Sequence, residues 1–204
     1  MIHIIMNLEE EYQKKKPEIE QRLKEFKQIP EEEYFYELCF CLLTPQSTAR
    51  GADNAIKILK KMDFKNRDFN PSEYLEHYIR FHNNKALYLQ EFKTKHQDIF
   101  QQLKNIQDNK EKRDFLVNNV KGLGLKEASH FLRNIGHENL AILDRHILKN
   151  LLKLGAIKEI PKSLTRNKYL EIEQQFQQFS TNQNIPMDHL DLLFWSLEAG
   201  EIFK

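Results

Sequence analysis

Lys126 and Asp144 stand eighteen positions apart, and a glycine pair, Gly122 and Gly124, lies just before the lysine. The run reads Val120-Lys121-Gly122-Leu123-Gly124-Leu125-Lys126-Glu127-Ala128, followed later by Ala141-Ile142-Leu143-Asp144-Arg145-His146. A primary amine can attack an electrophilic sugar carbon and hold it as a Schiff base. A carboxylate can steady the positive charge that develops there and assist proton transfer. Two glycines in a tight turn leave backbone N–H groups uncovered, and with the start of the next helix these cradle a phosphate oxygen. Such a cradle grips a nucleic-acid backbone without reading bases. These are the parts needed to cut a base from DNA and then open the sugar.

Each residue also has a plainer use. Lys126 falls at the start of the helix leaving the hairpin, where a cation is disfavoured by about 0.3–1 kcal/mol. That field, with partial burial, favours the neutral amine that attack requires. Asp144 precedes a helical pattern and is placed to be its N-cap, a role that alone would account for it. Lys121, on the hairpin itself, is a rival nucleophile, although a solvated phosphate contact suits it better. A glycine turn can also be purely structural, with Val120, Leu123 and Ala128 letting two helices pack closely.

The elements that must position these residues read as helices almost throughout, because apolar residues recur at three- and four-residue spacing. Pro17 fits the first turn of a helix continuing to about Lys27. Further helices are expected over 31–43, 47–62, a short stretch from Pro71 to about Phe81, 84–92, 96–103, 110–119, 126–135, 144–154, 165–179 and 186–199. Short turns between many helices give an all-α architecture with largely antiparallel neighbours.

Composition narrows the class. The chain has 204 residues, enough for one large domain or two small lobes. Its charge is almost balanced, but residues 111–168 hold twelve Lys/Arg against six Asp/Glu, a local excess of +6 that suits phosphate contact. Cys39 and Cys41, two apart in an apolar run, make neither a disulfide framework nor a zinc site, and cannot hold a four-cysteine iron–sulfur cluster. Buried, reduced thiols in a cytoplasmic protein are expected. No segment approaches the roughly 20 apolar residues of a membrane span. His130 and His146 flank the key residues without forming a metal-ligand cluster.

The hairpin, Lys126 and Asp144 together resemble the helix-hairpin-helix–GPD superfamily of DNA glycosylases. More narrowly, Lys-Gly-Leu-Gly-Leu-Lys-Glu-Ala-Ser-His-Phe-Leu-Arg-Asn-Ile-Gly and Ala-Ile-Leu-Asp-Arg-His-Ile-Leu are similar to the archaeal-type 8-oxoguanine DNA glycosylase/lyases, a second Ogg family. The match is dense over about 115–155 and looser from Glu37 to the C-terminus. The resemblance implies that Lys126 attacks C1′ of the damaged nucleotide and forms a Schiff base leading to β-elimination, with Asp144 assisting. It implies no cofactor and no metal.

The same resemblance bears on the base, which must leave the duplex to be reached. Asp191 and Trp195, four apart on one helix face, offer a carboxylate for a ring N–H and a face for stacking on a purine; taken alone they read as a solvated acid and a core aromatic. The chain ends Gly200-Glu201-Ile202-Phe203-Lys204, and in the family a terminal lysine folds into the base pocket. Phe81 is a second candidate stacking face. Gln46, in Thr44-Pro45-Gln46-Ser47, is a candidate contact to the extruded base or its orphaned partner.

The expected molecule is thus all-α, with two helical lobes, a helix-hairpin-helix motif and a DNA-binding cleft between the lobes. Residues 34–134 form the middle lobe, and 1–33 with 135–204 the other. Its partner is double-stranded DNA containing 8-oxoguanine or abasic sites, and a monomer is expected. Two alternatives stay open: a superfamily glycosylase for another oxidised base, and a non-catalytic helix-hairpin-helix DNA-binding module.

Overall fold

The helical spacing of the sequence folds into ten α-helices in a computed structural model that describes residues 8–202, with no strand among them. In chain order these are α1 (Leu8–Lys27), α2 (Tyr34–Leu43), α3 (Ala49–Lys61), α4 (Ser72–Leu75) and α5 (His82–Lys104). There follow α6 (Asn109–Asn119), α7 (Leu125–Asn134), α8 (Arg145–Lys153), α9 (Arg166–Gln183) and α10 (Met187–Ala199). A 3-10 turn at Glu31–Glu33 precedes α2. No helix among the described residues is long and apolar enough to cross a membrane.

Three helix boundaries differ from expectation, each for a local reason. Pro17 is not in the first turn but inside α1, which starts at Leu8. Proline removes one backbone donor there, and the helix persists through good helix formers and close pairs such as Lys14 with Glu10 and Glu11, both at 2.9 Å. Residues 84–92 and 96–103 belong to one 23-residue helix, α5. No glycine or proline falls between them to end it, and Lys95 pairs back to Glu91 at 2.8 Å across the expected gap. The helix expected from Pro71 to about Phe81 stops at Leu75 as α4. Phe81 sits in the left-handed region, with φ 57°, which a right-handed helix cannot include.

The chain divides into two compact units. The first described here is Ile29–His137, built from α2 to α7. Its core holds Phe35, Phe40, Phe64 and Phe131, with Phe35 stacked on Phe92 at 5.5 Å and Phe100 on Phe131 at 6.1 Å. Burying each such ring is worth roughly 1.5–3 kcal/mol. Helix α2 packs on α3, α5 and α7, and α7 also on α6, so the helix carrying Lys126 is backed on two sides. Cys39 and Cys41 are buried free thiols on α2, and burial pushes the Cys39 thiol well up.

The second unit joins the two ends of the chain, residues 8–28 and 138–202 among those described. Here α10 packs on α1, α8 and α9. Ile19, Phe176 and Phe194 are fully buried, and the last two stack at 6.1 Å. Tyr12 of α1 meets His189 of α10 through a 2.9 Å hydrogen bond. Buried Asp188, also on α10, accepts from the Asn139 backbone N–H at 3.0 Å, fixing the loop that leads towards α8.

Candidate functional site

The hairpin is built by α6, a short turn and α7. Val120 ends α6 with its N–H still bonded to Leu116 O, and Leu123 N–H returns to Val120 O at 3.2 Å. Val120, Leu123 and Ala128 are buried, as close helix packing across the turn requires. Gly122 takes φ +86°, and a Cβ there would fall within 2.7 Å of Tyr88 Cε2. Glycine is therefore demanded by both conformation and space. Gly124 is different: its φ is −93°, and it serves as the N-cap of α7 without a side-chain hydrogen bond. A glycine cap leaves the first N–H groups of α7 without the side-chain acceptor that serine or aspartate would give.

Lys126 is the second residue of α7, and its side chain is 24% exposed against 66% for Lys121. Glu127, itself largely buried, places Oε1 at 3.6 Å from Lys126 Nζ. This neighbour stood in the quoted motif but drew no role from spacing, because adjacent helix residues do not face each other. Lys121 leans towards Glu91 Oε2 at 3.9 Å. An open groove of about 740 Å³ runs beside the hairpin, lined among others by Lys95, Gln102, Asn118, Lys121, Gly122 and Gly124.

Within this same unit lie the two loop candidates. Gln46 and Phe81 both adopt left-handed backbone, with φ 56° and 57°. Gln46 is exposed, and the Phe81 ring belongs to a residue 53% exposed, with the Arg80 guanidinium 5.6 Å from its centre. Lys85, which sequence reasoning missed, lies against both turns. It stands in the first turn of α5 and is 5% exposed. Its ammonium donates to Leu43 O at 2.8 Å, Pro45 O at 2.6 Å and Ser47 Oγ at 3.1 Å. Burial lowers this amine to about 8; nearby Glu127 opposes the shift and Lys126 adds to it. The three accepting oxygens favour its charged form. A lysine in the opening turn of a surface-patterned helix reads as solvated, so no sequence signal marked it.

The second unit carries the remaining candidates. Asp144 is the N-cap of α8, accepting from His146 N–H at 2.8 Å and Ile147 N–H at 2.9 Å through one carboxylate oxygen. Its expected capping role is thus in place. Asp191 is buried and Trp195 half-buried, one turn apart on α10. Glu198, a turn further, reaches Lys149 Nζ at 3.3 Å and His146 Nδ1 at 3.7 Å, fastening the end of α10 to α8. His130, in the first unit, packs edge-on against Phe40 at 5.7 Å. Lys204 lies outside the described residues. Among those described, no group of three His, Cys, Asp or Glu side chains is placed to hold a metal ion.

The sequence model of the Ogg-HhH family, described as 8-oxoguanine DNA glycosylase, matches residues 19–185. An 8-oxoguanine DNA glycosylase/AP lyase of Fusobacterium nucleatum is 46% identical over 212 residues, covering 97% of this chain and 96% of that protein. Among solved structures, the 8-oxoguanine DNA glycosylase of Thermotoga maritima is similar with a TM-score of 0.86 at 36% identity, covering 96% of each chain. The Methanocaldococcus jannaschii 8-oxoguanine glycosylase/lyase, in complex with a 15mer DNA containing 8-oxoguanine, is similar at 0.85 and 37% identity. That match covers 96% of this chain and 98% of the other.

Proposed function

As the chain belongs to the family of 8-oxoguanine DNA glycosylases/AP lyases with the Ogg helix-hairpin-helix domain, we propose that Lys126 is its amine nucleophile and Asp144 the carboxylate that works with it. The activity is 8-oxoguanine DNA glycosylase and AP lyase, a base-excision step of DNA repair. Similarity along the whole chain, rather than at the hairpin alone, sets aside the non-catalytic binding module.

In the proposed reaction the neutral Lys126 amine bonds to C1′, and the C1′–N9 bond breaks with its electron pair leaving on the base. The sugar ring opens to an imine between Lys126 and C1′. Loss of a proton from C2′ then expels the 3′ phosphate, and water frees the enzyme. Asp144 stabilises positive charge on the sugar and moves protons. The observation that carries the assignment is the partly buried Lys126 in the first turn of α7, directly behind the Gly122–Gly124 turn. Lys121, largely solvated, then takes the phosphate contact with Gly122 and Gly124.

The base is read by Asp191 and Trp195 on α10, with Phe81 and Gln46 from the other unit and Lys204 from the terminus. This reading is supported by burial of Asp191, half-burial of Trp195 and exposure of the Phe81 ring. The proposed chemistry is divided between the two units, Lys126 on one and Asp144 on the other. That division supports a two-lobed enzyme, with lobes near 34–134 and 1–33 with 135–204. It would act as a monomer in the cytoplasm on double-stranded DNA bearing 8-oxoguanine or abasic sites, without a cofactor.

Borohydride trapping on duplexes containing 8-oxoguanine tests the nucleophile. Wild type and Lys121→Ala form a covalent adduct, and Lys126→Ala forms none. An adduct that persists in Lys126→Ala ends the assignment.

A further inference from the structure

Two exposed residues of the Ile29–His137 unit are held on backbone that non-glycine residues adopt with difficulty. Gln46 and Phe81 each sit in the left-handed region, 35 positions apart in sequence. Such conformations are unfavourable for residues other than glycine and persist only where the surroundings impose them. The surroundings here converge on two polar atoms. Ser47 Oγ accepts from the Arg80 backbone N–H at 3.1 Å and from Lys85 Nζ at 3.1 Å. Lys85 Nζ also holds the carbonyls of Leu43 and Pro45, the residues leading into Gln46. The Lys85 backbone N–H bonds to Phe81 O at 3.1 Å, joining the same lysine to the other turn.

The packing leaves little freedom beneath this knot. Gly51, in the first turn of α3, approaches the second turn so closely that a Cβ would stand 2.7 Å from Tyr78 O. Thr48 Oγ1 caps α3 by accepting from Gly51 N–H at 3.0 Å, so the loop after Gln46 is fixed as well. A buried ammonium with three acceptors, all within a single loop, is a costly way to close a surface turn. Its result is that the Gln46 loop and the Phe81 turn are tied to each other.

We infer that Lys85 is a positioning residue for lesion reading: through Ser47 it locks the Gln46 loop and the Phe81 turn into one edge that presents both side chains to the extruded base. The inference rests on the proposed base-reading roles of Gln46 and Phe81, and assigns them a shared support. Lys85 itself is buried under the loop and touches no base.

The test separates base excision from strand nicking, because a preformed abasic site has no base to read. Single-turnover rates are measured at saturating enzyme on 8-oxoguanine duplexes and on abasic duplexes. Lys85→Met lowers the ratio of excision to nicking at least fivefold. Ser47→Ala removes the shared acceptor while leaving the ammonium its two carbonyls, and lowers the ratio at least twofold. It carries the test if Lys85→Met does not fold. In a Gln46→Ala/Phe81→Ala background neither substitution lowers the ratio further.

Equal loss of both rates, an unchanged ratio, or a full further drop in the double-variant background overturns the inference. If the Gln46→Ala/Phe81→Ala protein itself keeps the wild-type ratio, the base-reading roles fail. That result is distinct from failure of Lys85 alone.

Discussion

Replacing Asp144 by asparagine separates its two roles, because asparagine caps a helix about as well as aspartate but carries no charge. The cap is made by one carboxylate oxygen, which both His146 and Ile147 N–H groups share. Asp144→Asn should therefore unfold within about 0.5 kcal/mol of wild type, while Asp144→Ala loses about 1 kcal/mol. Excision should fall at least 100-fold in both, since the charge proposed to steady the sugar is gone from each. Urea titration and single-turnover excision measure the two effects. Asparagine retaining near-wild-type excision would reduce Asp144 to a cap. At this scale the sequence was informative where chemistry coincides with a motif. The Asp144 cap and the Gly122 turn could be read because the groups that form them lie close in sequence. Lys85 could not, since its partners Leu43, Pro45 and Ser47 lie about 40 positions away and burial inverts the ordinary expectation for lysine.

Gly122 and Gly124 look alike in sequence, but the helices around them make unequal demands. At Gly122 a side chain meets the Tyr88 ring of α5 and must also adopt φ +86°. At Gly124 the backbone is extended and a Cβ would meet only the flexible end of Glu127, at 3.0 Å. Gly122→Ala should cost at least 1–2 kcal/mol from the left-handed backbone alone, and weaken binding to undamaged duplex about tenfold. Gly124→Ala should change stability by less than about 1 kcal/mol. Fluorescence anisotropy and thermal melting distinguish them; equal effects would mean that the turn tolerates side chains. Helix existence was legible from periodicity, and one start was legible where Asp144 caps by side chain; Thr48, Asp108 and Thr165 cap in the same way without having been singled out. The reading failed where the decisive signal was an absence. Nothing interrupts α5, and the proline expected to open α1 is carried in its middle.

At the scale of the molecule, each unit carries a half-buried histidine whose surroundings disfavour its charged form. Burial lowers His137 to about 4, with Lys112 nearby adding to the shift, and burial likewise lowers His189 on α10. A histidine depressed in the folded state binds its proton preferentially when unfolded. Stability is thus full above the unfolded value of about 6.5 and is lost as pH falls towards 4. His137→Gln should lose less stability than wild type between pH 7 and 4.5, the difference reaching about 1 kcal/mol because solvent screens the half-exposed ring. Urea midpoints at each pH measure it, and parallel curves would count against the lowered His137. The chain's size left one domain or two, and two lobes were expected only from the family resemblance.

The unit that joins the chain's two ends has a consequence in time. Helix α1 leaves the ribosome long before its packing partner α10 is synthesised. Contacts this distant in sequence form slowly. Meanwhile Ile29–His137 has every one of its own helices available well before α10 emerges. A nascent chain halted before residue 187 would already hold the hairpin proposed to grip DNA, but not the Asp191 and Trp195 proposed to recognise what is damaged in it.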